Sequence, residues 1–190
     1  MVRGRKRKPG KRLPCGKRPR EDVRKEAMAT VMAARQRHYG VTAAQAKDER
    51  LGTALGRLAF ADQITPDQYA AGEIYGEIMA RNRAVMGLPM DQPRSVTALL
   101  INEGIFGGGA PDPDPDLVAK VRKQAAAAIL MLRTADSDAP GTAGRKPSVL
   151  VHAVVRHDAE ASQWSPADRR NLCHGLDALC RLFRVRRDSS

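Results

Sequence analysis

Thr65-Pro66-Asp67-Gln68 spells a helix start, and the residues after it narrow the fold class more than any other stretch. A threonine at the cap accepts a hydrogen bond from the amide of the third helical residue. A proline at the first helical position gives up an amide that has no partner there anyway, and a glutamine at the third reaches back to the amide of the cap. Apolar or small residues then recur at Ala71/Gly72, Tyr75, Ile78/Met79 and Val85/Met86, a helical period with one break at Asn82. Glu77 and Arg81 stand four apart in the favourable order, and Gly87 and Pro89 close the element. Upstream, Leu51, Leu55, Leu58 and Ala59 make a second helical stripe, with Gly52 and Gly56 allowing a neighbour to approach. Asp62-Gln63-Ile64 is the turn between them, with Ile64 placed to staple onto the next helix near Tyr69. Arg50–Pro89 therefore reads as a helical hairpin.

Only 4% of the 190 residues are aromatic, so Ala, Leu, Val and Met must build the core. That favours helices packed closely on small residues, and no run of alternating β-branched residues is long enough for a sheet. The expected class is all-α: a small helical domain with a helical hairpin and a disordered basic N-terminal tail.

The charge is segregated. Residues 1–20 hold ten Lys/Arg and no acid, whereas the other 170 carry 23 basic and 21 acidic residues, only +2 of the formal +12. With three Pro and three Gly among those cations, the tail has too little apolar surface to fold by itself. Such asymmetry points to an anionic partner, DNA or alternatively RNA, touched mainly by the tail. The candidate nucleic-acid-binding residues are Arg3, Arg5, Lys6, Arg7, Lys8, Lys11, Arg12, Lys17, Arg18 and Arg20, continued onto folded structure by Arg24 and Lys25. Arg35 and Arg37 can extend the same basic surface, or belong to an ordinary solvated face. A nuclear address and a solubilising or acidic-membrane-binding tail are the competing readings of the tail, which lacks the apolar face of an interfacial helix.

Glu21–Tyr39 reads as a helix opened by acids and closed by Arg35, Arg37 and His38, with a thin stripe of Val23, Ala27, Val31 and Ala34 and a stop at Gly40. Thr42, with Gln45 three residues on, caps a helix expected to run to Ala61, broken or continuous around Arg50-Leu51-Gly52. A helix–turn–helix can read DNA, but Asp67, Glu73 and Glu77 on the second helix would face a polyanion, so packing is the preferred role of the hairpin. Ser95–Ile105 can form a short helix inside an irregular stretch. Asp116 is expected to cap a helix to Thr134, with Leu117, Val121, Ala125, Ala128 and Leu132 inward and Val118, Ile129 and Leu130 widening the face. A mobile loop should follow over residues 135–147, and Ser148–His157 is taken as a buried helix despite its four valines. Ser165-Pro166 repeats the Thr65 signal and opens a final helix lined by Leu172, Leu176, Leu179, Cys180 and Phe183, with Trp164 as its staple. Arg181, Arg184, Arg186 and Arg187 give it a basic end. The domain organisation is a tail at 1–20, a helical region at 21–89, a linker at 90–115 and C-terminal helices at 116–184 that pack with the hairpin as one domain.

No reaction chemistry is spelled out. Gly107-Gly108-Gly109 has no Gly-Lys-Ser/Thr after it and no strand before it. Asp112, Asp114 and Asp116 alternate with prolines that splay them, and no ligating Glu follows at calcium-loop spacing. His152, His157, Cys173, His174 and Cys180 lack the pair spacings of a zinc site, so no metal, cofactor or catalytic residue is expected. Cys15, Cys173 and Cys180 are odd in number, arguing against a disulfide framework and for a reducing cytoplasm. No apolar run approaches the ~20 residues of a membrane span, so no membrane partner is expected.

Two patches carry a resemblance. Ile64-Thr65, Gln68-Tyr69, Ala71-Gly72 and Tyr75, and then Leu172, Gly175-Leu176-Asp177-Ala178-Leu179 and Phe183, are similar to alphaproteobacterial helical proteins of phage-like elements, including a C-terminal domain of gene-transfer-agent regulators. The similarity spans residues 58–184 and implies a domain built of a Gln-x-x-Ala-Gly helix, an intervening helix and a closing Gly-Leu-Asp-Ala-Leu helix. The association it implies is DNA binding and transcriptional control, and it carries over no functional residue. Lys8-Pro9-Gly10-Lys11-Arg12 also resembles the N-termini of phage terminase small subunits. The expectation is a non-enzymatic DNA-binding protein in the host cytoplasm of a phage or prophage, acting in packaging or in regulation, whose C-terminal helices complete the core or bind a protein partner or a second copy. A structural or adaptor protein of a virion or other nucleoprotein assembly is the alternative.

Overall fold

The computed structural model describes residues 12–15, 17, 20–88, 114–139 and 143–185, and of residues 20–24 and 26 only the backbone. The described residues are all-α: six helices and no strand. They are α1 (Arg20–Tyr39), α2 (Ala54–Phe60), α3 (Pro66–Val85), α4 (Pro115–Ser137), α5 (Pro147–His157) and α6 (Pro166–Phe183). Two compact units divide between Leu51 and Gly52.

In the first unit, α1 ends at Gly40, whose φ of 64° suits a residue without a side chain. Its stripe does not form a buried face: Ala27 and Val31 are exposed, as is Met28 beside them. The helix expected from Thr42 to Ala61 is broken, and only its last part, Ala54–Phe60, is α-helical. Thr42 and Gln45 do cap each other, with the Thr42 amide donating to Gln45 Oε1 at 3.0 Å, but two short 3-10 segments, Gln45–Lys47 and Glu49–Gly52, follow. Asp48 and Thr53 interrupt the run because their side chains capture nearby amides. Asp48 Oδ1 accepts from the Arg50 amide at 2.9 Å, and Thr53 Oγ1 accepts from that of Gly56 at 3.0 Å. Thr53 thereby becomes the cap of the short helix α2.

In the second unit, α3, α4, α5 and α6 each pack against the other three, and α2 is added against α3 and α5. All four begin with a proline in the first helical turn. The capping box on α3 is complete: the Gln68 amide donates to Thr65 Oγ1 at 3.2 Å, and the Thr65 amide donates to Gln68 Oε1 at 2.9 Å. The shared core is made of Leu132, Leu150, Leu172, Leu176 and Leu179, with Tyr75 fully buried among them. Burying each leucine is worth about 1.5–3 kcal/mol. Small residues let the helices close up, with Ala71 on α3, Ala125, Ala128 and Ala135 on α4, and Ala178 on α6 all buried.

Several expectations need correction. The cap of α4 is Asp114, not Asp116. Asp114 Oδ1 accepts from the Asp116 amide at 3.0 Å, and Pro115 opens the helix as Pro66 opens α3. Leu117 and Leu130 are exposed on α4, while Ala135 joins its buried face. The stretch expected as a mobile loop is helical through Ser137 and tied down at its far end. The Asp168 carboxylate accepts from the Arg145 amide at 2.8 Å, and Asn171 Nδ2 donates to the carbonyls of Ala143 (3.3 Å) and Arg145 (2.9 Å). Asp136 on α4 also accepts from the amide and hydroxyl of Ser148 on α5, at 2.8 and 2.7 Å. Trp164, besides packing against the core, lies under the Arg145 guanidinium, 4.4 Å from the ring centroid. The Ser95–Ile105 helix and nearly all of the 90–115 linker lie outside the described residues.

Candidate nucleic-acid interface

The tail cations are placed only in part. Arg3, Arg5, Lys6, Arg7, Lys8, Lys11 and Arg18 lie outside the described residues. Arg12 and Lys17 are exposed, around a local turn closed by the Leu13 amide donating to the Lys17 carbonyl at 2.9 Å. Arg20 and Arg24 sit in the first turns of α1, and Lys25 beside them is exposed. Toward the other end of α1, Arg37 and His38 are exposed. Arg35 is committed elsewhere: its Nη1 donates to the carbonyls of Ala46 (2.9 Å) and Asp48 (3.0 Å), fastening α1 to the turn that follows it. It leaves the candidate basic surface.

Gln68, the one residue at the start of α3 with base-reading chemistry, is buried, and its side chain is used twice. Its oxygen caps the helix, and its Nε2 donates to Asp177 Oδ1 on α6 at 2.8 Å. The exposed charged residues on α3 are Glu73, Glu77 and Arg81, and Glu77 is ion-paired with Arg81 at 2.5 Å. Turned toward a phosphate backbone, the first half of this helix would present carboxylates. The two motif stretches therefore build the domain interior. A methyl at Gly72 would stand 2.6 Å from Leu55 Cδ2 and 3.5 Å from Leu176, and Tyr75 Oη is 3.1 Å from His152 Nε2.

The groups with chemical reactivity are dispersed. His152 packs edge-on to Tyr75 and contacts Arg156 Nη1 at 3.3 Å, while His157 is exposed. Burial, and secondarily the Asp177 carboxylate, push the Cys173 thiol above its ordinary range. The Arg145 amide and then its guanidinium hold the Asp168 carboxyl below its ordinary range, against the opposing effect of burial. The Arg50 side chain and amide do the same for Asp48. Among the described residues no three His, Cys, Asp or Glu are grouped to hold a metal ion, and no helix is long and apolar enough to cross a membrane.

One basic surface went unread in the sequence. Lys120, Arg122, Lys123 and Arg133 on α4 are all exposed. The signal was a run from Leu117 to Ala135 with four cations and no carboxylate, masked by the apolar period that marks the same stretch as a core helix. Comparison of the chain with protein-family models, with curated proteins and with solved structures finds no match.

Proposed function

We propose that this chain is a non-enzymatic DNA-binding protein that grips phosphates through the basic stretch Met1–Arg20, continued by Arg24 and Lys25 on α1. The observation that carries the reading is the segregation of charge, ten cations and no acid in 20 residues set against a nearly neutral remainder. A cluster of cations that contacts phosphates supplies affinity and little sequence choice. The burial of Gln68 supports the same division of labour, since the hairpin is then scaffold and the tail is grip. The resemblance of residues 64–75 and 172–183 to helical regulators of phage-like elements, and of Lys8–Arg12 to terminase small subunits, supports a role in phage DNA packaging or transcriptional control.

The test is binding of the full chain and of the same chain starting at Glu21 to random duplex DNA across a salt series. The full chain should bind with a steep slope, about −0.9 per phosphate neutralised. Removing the tail should flatten that slope and weaken binding by orders of magnitude. Equal binding by both chains would overturn the assignment to the tail, and failure of the full chain to bind duplex DNA would overturn the function.

Exposed Met28, Val31 and Tyr39 on α1 favour a second reading, a structural or adaptor protein of a nucleoprotein assembly, in which this helix meets a protein partner. It expects stable association with a large particle and only weak, sequence-blind DNA binding.

A further inference from the structure

α4 gathers four exposed cations on one helix. Its cations Lys120, Arg122, Lys123 and Arg133 are exposed, and none has an ion-pair or hydrogen-bond partner among the described residues. Several arginines elsewhere in the same unit are engaged, Arg57 with Glu160 at 2.9 Å, Arg81 with Glu77 at 2.5 Å, Arg145 with Asp168 at 3.1 Å and Arg169 with the Ser162 carbonyl at 2.7 Å, whereas Arg170 and Arg181 on α6 and Arg184 at its end are exposed. α4 has one exposed carboxylate of its own, Asp116 in its first turn, and Glu73 and Glu77 are exposed on α3.

The helical period distributes the four cations usefully. Val121, Ala125, Ala128, Leu132 and Ala135 point into the core. Directly opposite lies a ridge of Ala119, Lys123, Ala126 and Leu130, all exposed. Lys120 falls on one flank of that ridge, and Arg122 and Arg133 on the other. At about 1.5 Å of rise per residue the cations cover about 20 Å of helix, the length of about six phosphates along one strand. The two alanines on the ridge let a large partner approach the helix closely. The four cations outnumber the two carboxylates of the helix, Asp116 and Asp136, and a polyanion relieves their mutual repulsion.

We infer that α4 is a second contact for duplex DNA, placing Lys120, Arg122, Lys123 and Arg133 on its phosphates; the inference rests on the nucleic-acid reading proposed above. The compact unit then meets the duplex through α4 rather than through α3, whose exposed first half carries Glu73 and Glu77. The tail supplies capture, and α4 fixes which side of the unit meets the DNA.

The test uses the full chain with its tail intact. Wild type and the K120Q/R122Q/K123Q/R133Q variant are titrated by fluorescence anisotropy onto a random duplex between about 50 and 300 mM salt. The variant should bind at least about tenfold more weakly at the low end, with a salt slope shallower by about 2 to 4. A melting curve matching wild type shows that the fold is kept. If the variant does not fold, Ala126→Glu, a single carboxylate on the exposed ridge, replaces it and should weaken binding several-fold. Wild-type affinity and slope in a folded variant would overturn the α4 contact and leave the tail assignment standing. Failure of wild type to bind duplex DNA at all would overturn both.

Discussion

The Gln68 side-chain amide on α3 donates to the Asp177 carboxylate on α6 at 2.8 Å, joining positions 109 residues apart. The same Gln68 side chain accepts from the Thr65 amide, so one residue both starts a helix and docks it. Removing it loses a cap and a charge-assisted bond, each worth about 1 kcal/mol or somewhat more. Gln68→Ala should therefore destabilise the protein by about 2–3 kcal/mol, and Asp177→Ala by less, because Asp177 is exposed. A double-mutant cycle in urea should give a coupling of about 1 kcal/mol. Strict additivity would mean that the bond contributes nothing net.

Gly175 on α6 lies against α5. A methyl placed there would be 2.9 Å from Val151 Cγ2, 3.2 Å from Pro147 Cβ and 3.3 Å from the Pro147 carbonyl oxygen. Alanine gains about 1 kcal/mol of helix propensity, but overpacking costs about 1–3 kcal/mol, and neither a proline nor a β-branched valine yields easily. Gly175→Ala should be net destabilising. Gly72→Ala meets the end of the more adaptable Leu55 side chain and should cost less. Chemical denaturation of the two variants checks the order.

Asp168 gives the fold an acid-sensitive joint. Its folded-state pKa is held below the ordinary 3.8, first by the Arg145 amide and then by the Arg145 side chain. A carboxyl shifted this way adds stability that is full above the ordinary value and is lost as the pH falls through the lower folded-state value. The gap in melting temperature between wild type and Asp168→Asn should thus be constant near neutrality and shrink on acidification below about pH 4. A gap that does not change with pH would mean that the carboxylate charge plays no part in holding the Ala143–Arg145 segment.

Cys15 and Cys173 should separate cleanly by reactivity. Cys15 is exposed, whereas Cys173 is partly buried and its thiol is pushed up by burial and by Asp177. The thiolate is the attacking species, so a disulfide reagent at neutral pH should label Cys15 first. Peptide mass mapping after partial labelling would show this, and faster reaction at Cys173 would contradict the packing around α6.

Helix starts were legible where a cap and proline stood next to an apolar period, as at Thr65-Pro66 and Ser165-Pro166. Asp114-Pro115 carries the same signal, but it sits in a Pro-Asp repeat that reads as linker. The ties on the Ala143–Arg145 segment were not legible because Asp168 and Asn171, which hold it, lie more than 20 residues downstream. Nor was the commitment of Arg35: an arginine in a basic run looks solvated until carbonyls 11 and 13 residues later turn toward it. The basic tail needed no structure to be seen, since it is a property of composition. The α4 surface was equally present in the letters, and the eye took the apolar period first.

α6 lies C-terminal to all three of the helices it packs against, and this sets an order of events during synthesis. At about 5–20 residues per second, Asp177 leaves the ribosome on the order of 10 s after Gln68. For that interval the faces of α3, α4 and α5 meant for α6, among them Tyr75, Leu132 and Leu150, have no lid. The basic segment, by contrast, is outside from the beginning, so a nascent chain has its charged arm in solution well before it has a core. A chain stalled after α5 but before α6 has emerged would display that apolar surface and carry a polycation in the same molecule, a combination suited to chaperone capture or to co-aggregation with nucleic acid.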